Sequence, residues 1–312
     1  MSWQLYSRKS ICIVIAFILI YFIVFRRRST RFYLTEAEID KYFQQKSFNM
    51  TYPRRIPRII HQTWRTHDVP RKWNHTVQSV RVFNANDFEY HIWTDEDINR
   101  YVRHVQPAYY EKIFLNYPLD IQRIDAFRYI VLYYIGGIYI DMDNGCRKSF
   151  ETLIETLESL DSKSQHLAAF PRTSPIGISN GFMISTKGHP LFQMLIAYLP
   201  TFAHNYLIDY LTVMLSAGPI FLSIIEFYFD QISTSSSVRI LDEIVYSGIY
   251  TWHTPGNSWH GKDARMILSV YHSIRLMPTK YLLFFVLFVL VVFFRRRLFS
   301  RFQRRRCRSL NI

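Results

Sequence analysis

Between Leu119 and Ile135 apolar residues recur at helical spacing, with Ile121, Ile124, Leu132 and Ile135 marking the pattern. Gly136-Gly137 ends that helix, because glycine supplies the backbone angles a chain reversal needs. Ile138-Tyr139-Ile140 is β-branched and aromatic and predicts a short buried strand. Upstream, Ile59-Ile60 reads as a first buried strand, Trp73 to Phe83 as a helix and Glu89 to Thr94 as a second strand. Asp95-Glu96-Asp97 follows Thr94 as helix-capping acids, and residues 107–118 form an aromatic-rich helix or loop. Downstream, 149–160 is helical, Ala168 to Phe170 and the 177–185 segment supply strands, and His189-Pro190 opens a helix. Residues 207–229 are apolar but interrupted by Asp209, Gly218-Pro219 and Glu226, which predicts two buried helices rather than a membrane span. Val238 to Leu241 is the last strand, and a polar loop follows over 254–262. Thr35 with Glu38 forms a helix-start pattern in a segment, 26–55, that reads as a stem.

Alternating strands and helices predict an α/β sheet, where ligands gather at the carboxyl ends of the strands. Asp141 and Asp143 follow Ile140 at such an end. A strand has period two, so both carboxylates share a face while Met142 points away. Two like charges so close favour a cation between them, and carboxylate oxygen suits Mn or Mg. His61, Gln62 and Trp64 close the first strand; the indole has the chemistry either to stack on a base or to pack into the core. Asp125 and Arg128 lie one helical turn apart on an otherwise apolar helix, where a surface ion pair contributes little but a sugar's hydroxyls give both a partner. Asn180, with Gly181, opens the strand within 177–185, and its amide is able to enter a cleft or to serve a turn.

Charge changes the picture only at the ends. Of 38 Lys and Arg residues, six lie in 1–31 and eight in 295–312, with no acid in either segment. The remaining 24 face 24 Asp and Glu, so the middle of the chain is neutral and nucleic acid is not an expected partner. Uncharged apolar runs cover 11–25 and 281–294, each about 21–23 Å long as a helix against a bilayer core of about 30 Å. Flanking residues and snorkelling arginines extend them, and they read as two membrane helices. The arginine-rich tail places the C-terminus in the cytosol, hence both termini there and the middle in the lumen. Sequons at Asn49 and Asn74 agree with that side. Cys146 is the lone cysteine between the runs, which excludes a disulfide framework or zinc cluster there. The expected organisation is a cytosolic 1–10, a helix 11–25, a stem 26–55, a domain 56–275, a helix 278–294 and a cytosolic tail 295–312.

Five stretches together resemble one family: IPRIIHQTW (56–64), DAFRYIVLYYIGGIYIDMD (125–143), GISNGF (177–182), SAGPIFLS (216–223) and NSWHGKD (257–263). They are similar to the DXD glycosyltransferases of GT-A, Rossmann-like fold, nearest to the mannosyltransferases of inositol phosphorylceramide. The resemblance covers roughly 56–270. That family often carries an acid where this chain has Gly181.

The resemblance implies retaining transfer of mannose from GDP-mannose to a sphingolipid acceptor at the Golgi membrane, with Mn (or Mg) as cofactor and a regulatory membrane subunit as partner. By the same resemblance, Asp141 and Asp143 hold metal and donor, with His260 completing the metal's shell. Asp125, Arg128 and Tyr139 serve the donor; His61, Gln62 and Trp64 lie at the nucleotide; Ser258 and Trp259 close over the diphosphate. Asn180 is the one backside candidate, so double displacement and front-face attack both stay open. An outer-chain N-glycan mannosyltransferase is the alternative, and a second membrane run favours the lipid acceptor over it. A scaffold with an inactive transferase fold is disfavoured by the intact pair of acids.

Overall fold

The computed structural model describes residues 33–46, 53–173, 177–206, 208–233 and 236–254. The apolar runs at 11–25 and 281–294 lie outside them, as do Ser258, Trp259 and His260. In chain order the elements are β1 (Tyr33–Leu34), α1 (Glu36–Lys46), β2 (Ile59–Thr63), α2 (Asn74–Asn84), β3 (Glu89–Trp93), α3 (Asp95–Val105), α4 (Pro107–Lys112) and α5 (Asp120–Tyr134). Then come β4 (Gly137–Ile140), β5 (Asn144–Cys146), α6 (Glu151–Leu160), β6 (His166–Pro171), β7 (Phe182–Ser185), α7 (Pro190–Phe202), α8 (Asp209–Ser216), α9 (Pro219–Ile232), β8 (Ser236–Leu241) and β9 (Thr251–His253).

Seven strands form one mixed sheet in the order β1-β8-β6-β7-β4-β2-β3, and β5 pairs with β9 in a separate ribbon. Within the seven-stranded sheet only β7 runs against its neighbours, β4 and β6, and the other pairings are parallel; β5 and β9 are antiparallel. Ten residues, 172–181, join β6 to β7, too few for the crossover a parallel pair needs, so the chain turns back. Side chains alternate between two cores: Tyr139, Met183, Ala168 and Phe170 face the helices α3, α5, α7 and α9. Ile138, Ile140, Phe182, Ile184, Leu167 and Ala169 face the other layer, with Val80, Leu153 and Leu157. That is the period-two pattern of strands buried on both sides.

Three sequence expectations change. Part of the segment read as a stem joins the folded domain: Tyr33 and Leu34 pair in register with Ile240 and Leu241 at the sheet edge. Leu34, Ile39 and Tyr42 are buried, and the expected Thr35–Glu38 cap forms, Glu38 Oε2 accepting from Thr35 N at 2.9 Å. Helix α5 is covered nearly all round rather than on one stripe; of the four residues that marked its period, only Leu132 is buried. Third, β4 ends at Ile140 and the chain turns, Asn144 N donating to Asp141 O at 3.1 Å, so Asp141 and Asp143 do not share a strand face. Met142 does point away, into a small cluster with Trp73 and Val77. The 209–232 stretch, long and apolar enough to cross a membrane, is two helices mostly buried within the described protein.

Candidate active site

The helix–turn–strand unit sets the site. Gly136 and Gly137 have φ of 80° and 99°, and a Cβ on Gly137 would lie 2.4 Å from Ile59 O. The reversal packs α5 directly over the strand it precedes, so Arg128 lies above the Tyr139 ring, 4.8 Å from its centroid. The guanidinium then reaches three partners at the end of β4. Its Nη2 lies 2.9 Å from Asp141 Oδ1 and 3.3 Å from Asp125 Oδ1, and its Nη1 donates to Asn180 O at 2.9 Å and to Asp141 Oδ2 at 3.3 Å. Tyr139 donates its hydroxyl to Asp141 Oδ1 at 3.0 Å and sits 2.9 Å from Thr63 Oγ1. The sequence pairs Asp125 with Arg128; the fold adds Asp141 as a third member.

Burial dominates the electrostatics. It pushes Asp125 up to about 7, against the pull of Arg128 and with a further push from Asp141. Asp141 is pushed up to about 6 by burial, opposed by Arg128 and reinforced by Asp143. Asn180 is buried, and its Nδ2 is near enough to favour the charged form of Asp125 but makes no hydrogen bond among the described residues. Arg128 Nε is likewise buried and unpaired there. Two orphaned donors beside a carboxylate leave polar capacity that a hydroxyl-rich ligand would satisfy.

Asp143 lies in the turn just before the second ribbon. Register pairs Asn144 with His253, which brings His253 Nε2 within 3.3 Å of Asp143 Oδ2. Thr254 N donates to Asp143 O at 2.8 Å, and Asn144 Nδ2 to Asp143 Oδ1 at 3.2 Å. His253, half exposed, is raised above its ordinary value by this carboxylate, against its own partial burial. No set of three or more His, Cys, Asp or Glu side chains poised for a metal occurs among the described residues. The two carboxylates still fit a hard cation: both are oxygen donors, both keep about a quarter of their side-chain surface (28% and 25%), and Asp143 electrostatically disfavours charge on Asp141.

The residues of β2 are placed differently from expectation. His61 is fully buried, its Nε2 2.9 Å from Gly136 O while Nδ1 accepts from Trp93 Nε1 at 3.1 Å. Burial holds its pKa down near 4, so it is a neutral strut for the Gly136 turn and offers no free nitrogen to a nucleotide. Gln62 is also buried and clamps the Asp141 backbone, donating to its carbonyl at 3.3 Å while accepting from Tyr90. Trp64 packs partly buried beside Trp73 and Met142, which favours the packing reading among the described contacts. His253 and Gly181 were missed by the sequence reading, because the pairings that bring them to the two acids are long-range.

Asp125 gives a direct test of this electrostatics. Its folded pKa lies above its ordinary value, so the folded state keeps a proton that the unfolded chain releases. That contribution is fully present below about pH 4 and is lost as pH rises toward 7. Asp125→Asn, which cannot ionise, is expected to flatten the stability profile over that window while lowering turnover. Urea unfolding at a series of pH values reads the first effect; a profile as steep as the native one refutes the assignment.

A family model described as "Glycosyltransferase sugar-binding region containing DXD motif" matches residues 70–160. The chain is 37% identical over 259 residues to Inositol phosphoceramide mannosyltransferase 2 of Schizosaccharomyces pombe, covering 80% of this chain and 71% of that protein. To Inositol phosphoceramide mannosyltransferase 1 of the same organism it is 36% identical over 219 residues, 69% of this chain and 65% of that protein. To Mannosyl phosphorylinositol ceramide synthase SUR1 of Saccharomyces cerevisiae it is 35% identical over 231 residues, 71% and 56% respectively. The matched region thus spans less than two thirds of the length of the second and third of these relatives.

Proposed function

We infer the function from descent: the chain belongs to the inositol phosphoceramide mannosyltransferase family of DXD glycosyltransferases, and we propose that it mannosylates inositol phosphorylceramide using GDP-mannose. The fold type that goes with this reading is GT-A. The observation that carries the proposal is the Asp125–Arg128–Asp141 cluster with the unpaired Asn180 amide at the carboxyl end of β4. Such a cluster suits a sugar: Asp125 accepts hydroxyl hydrogens, Asn180 donates to a hydroxyl oxygen, and Arg128 holds the carboxylates in place between them. Asp143 and Asp141 are the residues that would hold a divalent cation, Mn or Mg. When bound there, the cation neutralises the diphosphate leaving group. Gln62 and Tyr139 keep Asp141 aligned from below, so reorientation during the reaction is small.

The two spans, the cytosolic termini and a lumenal catalytic domain rest on the apolar runs and the arginine tail; the Golgi membrane and a regulatory membrane subunit rest on the family resemblance. Protease added to sealed microsomes is expected to clip a tag placed after Ile312 and to spare 56–275; a protected tag overturns that topology. The activity itself is tested by incubating membranes carrying the protein with labelled GDP-mannose and separating products. Label in an alkali-stable inositol-containing sphingolipid supports the proposal, whereas label in N-glycans favours the outer-chain alternative.

A further inference from the structure

Four glycines among the described residues have positive φ: Gly136, Gly137, Gly177 and Gly188. Gly181 is not one of them, so its backbone is open to any L-residue and conformation does not explain a glycine there. Space does. Ile140 pairs with Phe182 in the antiparallel β4–β7 ladder, and the next pair outward is Asp141 opposite Gly181, with Asp141 N donating to Gly181 O at 2.8 Å. Directly opposed residues on antiparallel strands bring their Cβ atoms close. A Cβ on Gly181 would sit 2.7 Å from Asp141 Oδ2 and 3.6 Å from its Cγ. The carboxylate therefore leans over the bare Cα of Gly181.

The other sides of that carboxylate are occupied. Oδ1 receives Tyr139 OH at 3.0 Å and Arg128 Nη2 at 2.9 Å; Oδ2 receives Arg128 Nη1 at 3.3 Å. A side chain at 181 has one yielding neighbour, Oδ2, because Ser179 Oγ at 3.4 Å is already in ordinary contact. Oδ2 is held by Arg128 Nη1, so a shift of the carboxylate to make room disturbs that contact.

We propose that Gly181 is a positioning residue for the transfer reaction: the missing side chain is what lets Asp141 dock on Arg128 in its working orientation. The inference rests on the functional reading above only for its kinetic consequence; the steric coupling between 181 and 141 stands apart from it.

The test is a double-mutant cycle on the full-length protein, read by thermal melting and by mannose transfer. Gly181→Ala is expected to lower Tm and to reduce kcat about 10- to 100-fold, the scale set by an ångström of misplacement, with a smaller change in KM for GDP-mannose. In an Asp141→Ala background, where the clash has no second partner, Gly181→Ala is expected to leave Tm unchanged or raise it. Equal Tm losses in both backgrounds overturn the proposal, as does a Gly181→Ala enzyme with native kcat. Should Gly181→Ala alone fail to fold, folding of the double variant supports the proposal and its failure overturns it. If the native protein transfers no mannose, the functional reading falls while the melting cycle still decides the steric one.

Discussion

Asp143→Ala is expected to lower mannose transfer by 10²–10³-fold or more, while the protein stays folded. The carboxylate keeps about a quarter of its side-chain surface and is held from one ribbon by His253, Asn144 and Thr254, so none of the sheet's cores depends on it. Its stability contribution is small, since an ion pair with a half-exposed histidine is weak. The same charge disfavours ionisation of Asp141, so its removal relieves repulsion as it breaks the His253 contact. Without added metal, Asp143→Asn is therefore expected to melt within a degree or two of the native protein, a shift smaller than about 0.5 kcal/mol produces. With Mn and GDP present, the native protein is expected to gain more Tm than the variant, because ligand binding stabilises only a competent site. EDTA is expected to abolish native activity and Mn to restore it. Equal Tm gains, or transfer by Asp143→Ala at the native rate, would remove Asp143 from the cation site.

The part of this site that the sequence makes legible is the part built from near neighbours. Helical spacing, a Gly-Gly stop and a β-branched triplet followed by two acids are local signals, and α5, the turn and β4 follow them closely. The Asp125–Arg128 pair is local too, one turn apart on α5. What was illegible is everything that depends on which strand lies beside which. Asp143 meets His253 only because β5 pairs with β9, over 100 residues away in sequence. His61 is expected at the nucleotide because it lies near the carboxyl end of the first strand; helix packing over β2 and the indole of Trp93 make it a buried strut. Gly181 stands out only as a departure from the family pattern, and its closeness to Asp141 is a product of strand pairing. The shared strand face of Asp141 and Asp143 failed for a related reason: period two holds only while the strand continues, and the ladder ends at Ile140.

Arg128→Met is expected to give the largest combined loss, in stability and in activity together. Arg128 is 6% exposed in its side chain and is the cation between Asp125, itself 4% exposed, and Asp141. Removing one partner of a buried ion pair leaves an uncompensated charge and costs about 3–5 kcal/mol. Most of that falls on Asp125, since Asp141 retains 28% of its side-chain surface and water screens part of its charge. The loss has a distinctive pH dependence. With the guanidinium gone, burial loses its strongest opponent at both carboxyls, and their already raised pKa values rise further. Protonation relieves the buried charge, so the stability gap between native protein and variant is expected to narrow as pH falls from 7.5 to 5. A cavity left by lost packing would give a gap that pH does not move. Arg128→Lys separates charge from shape: an ammonium restores part of the stability, but it cannot span Asp141 Oδ1, Asp141 Oδ2 and Asn180 O as the planar fork does. Urea unfolding is therefore expected to rank native, Lys and Met in that order, while mannose transfer is expected to be near background in both variants. A lysine variant with native turnover would reduce Arg128 to a structural counter-ion, and a Met variant with a pH-independent loss would refute the buried-charge account of the cluster.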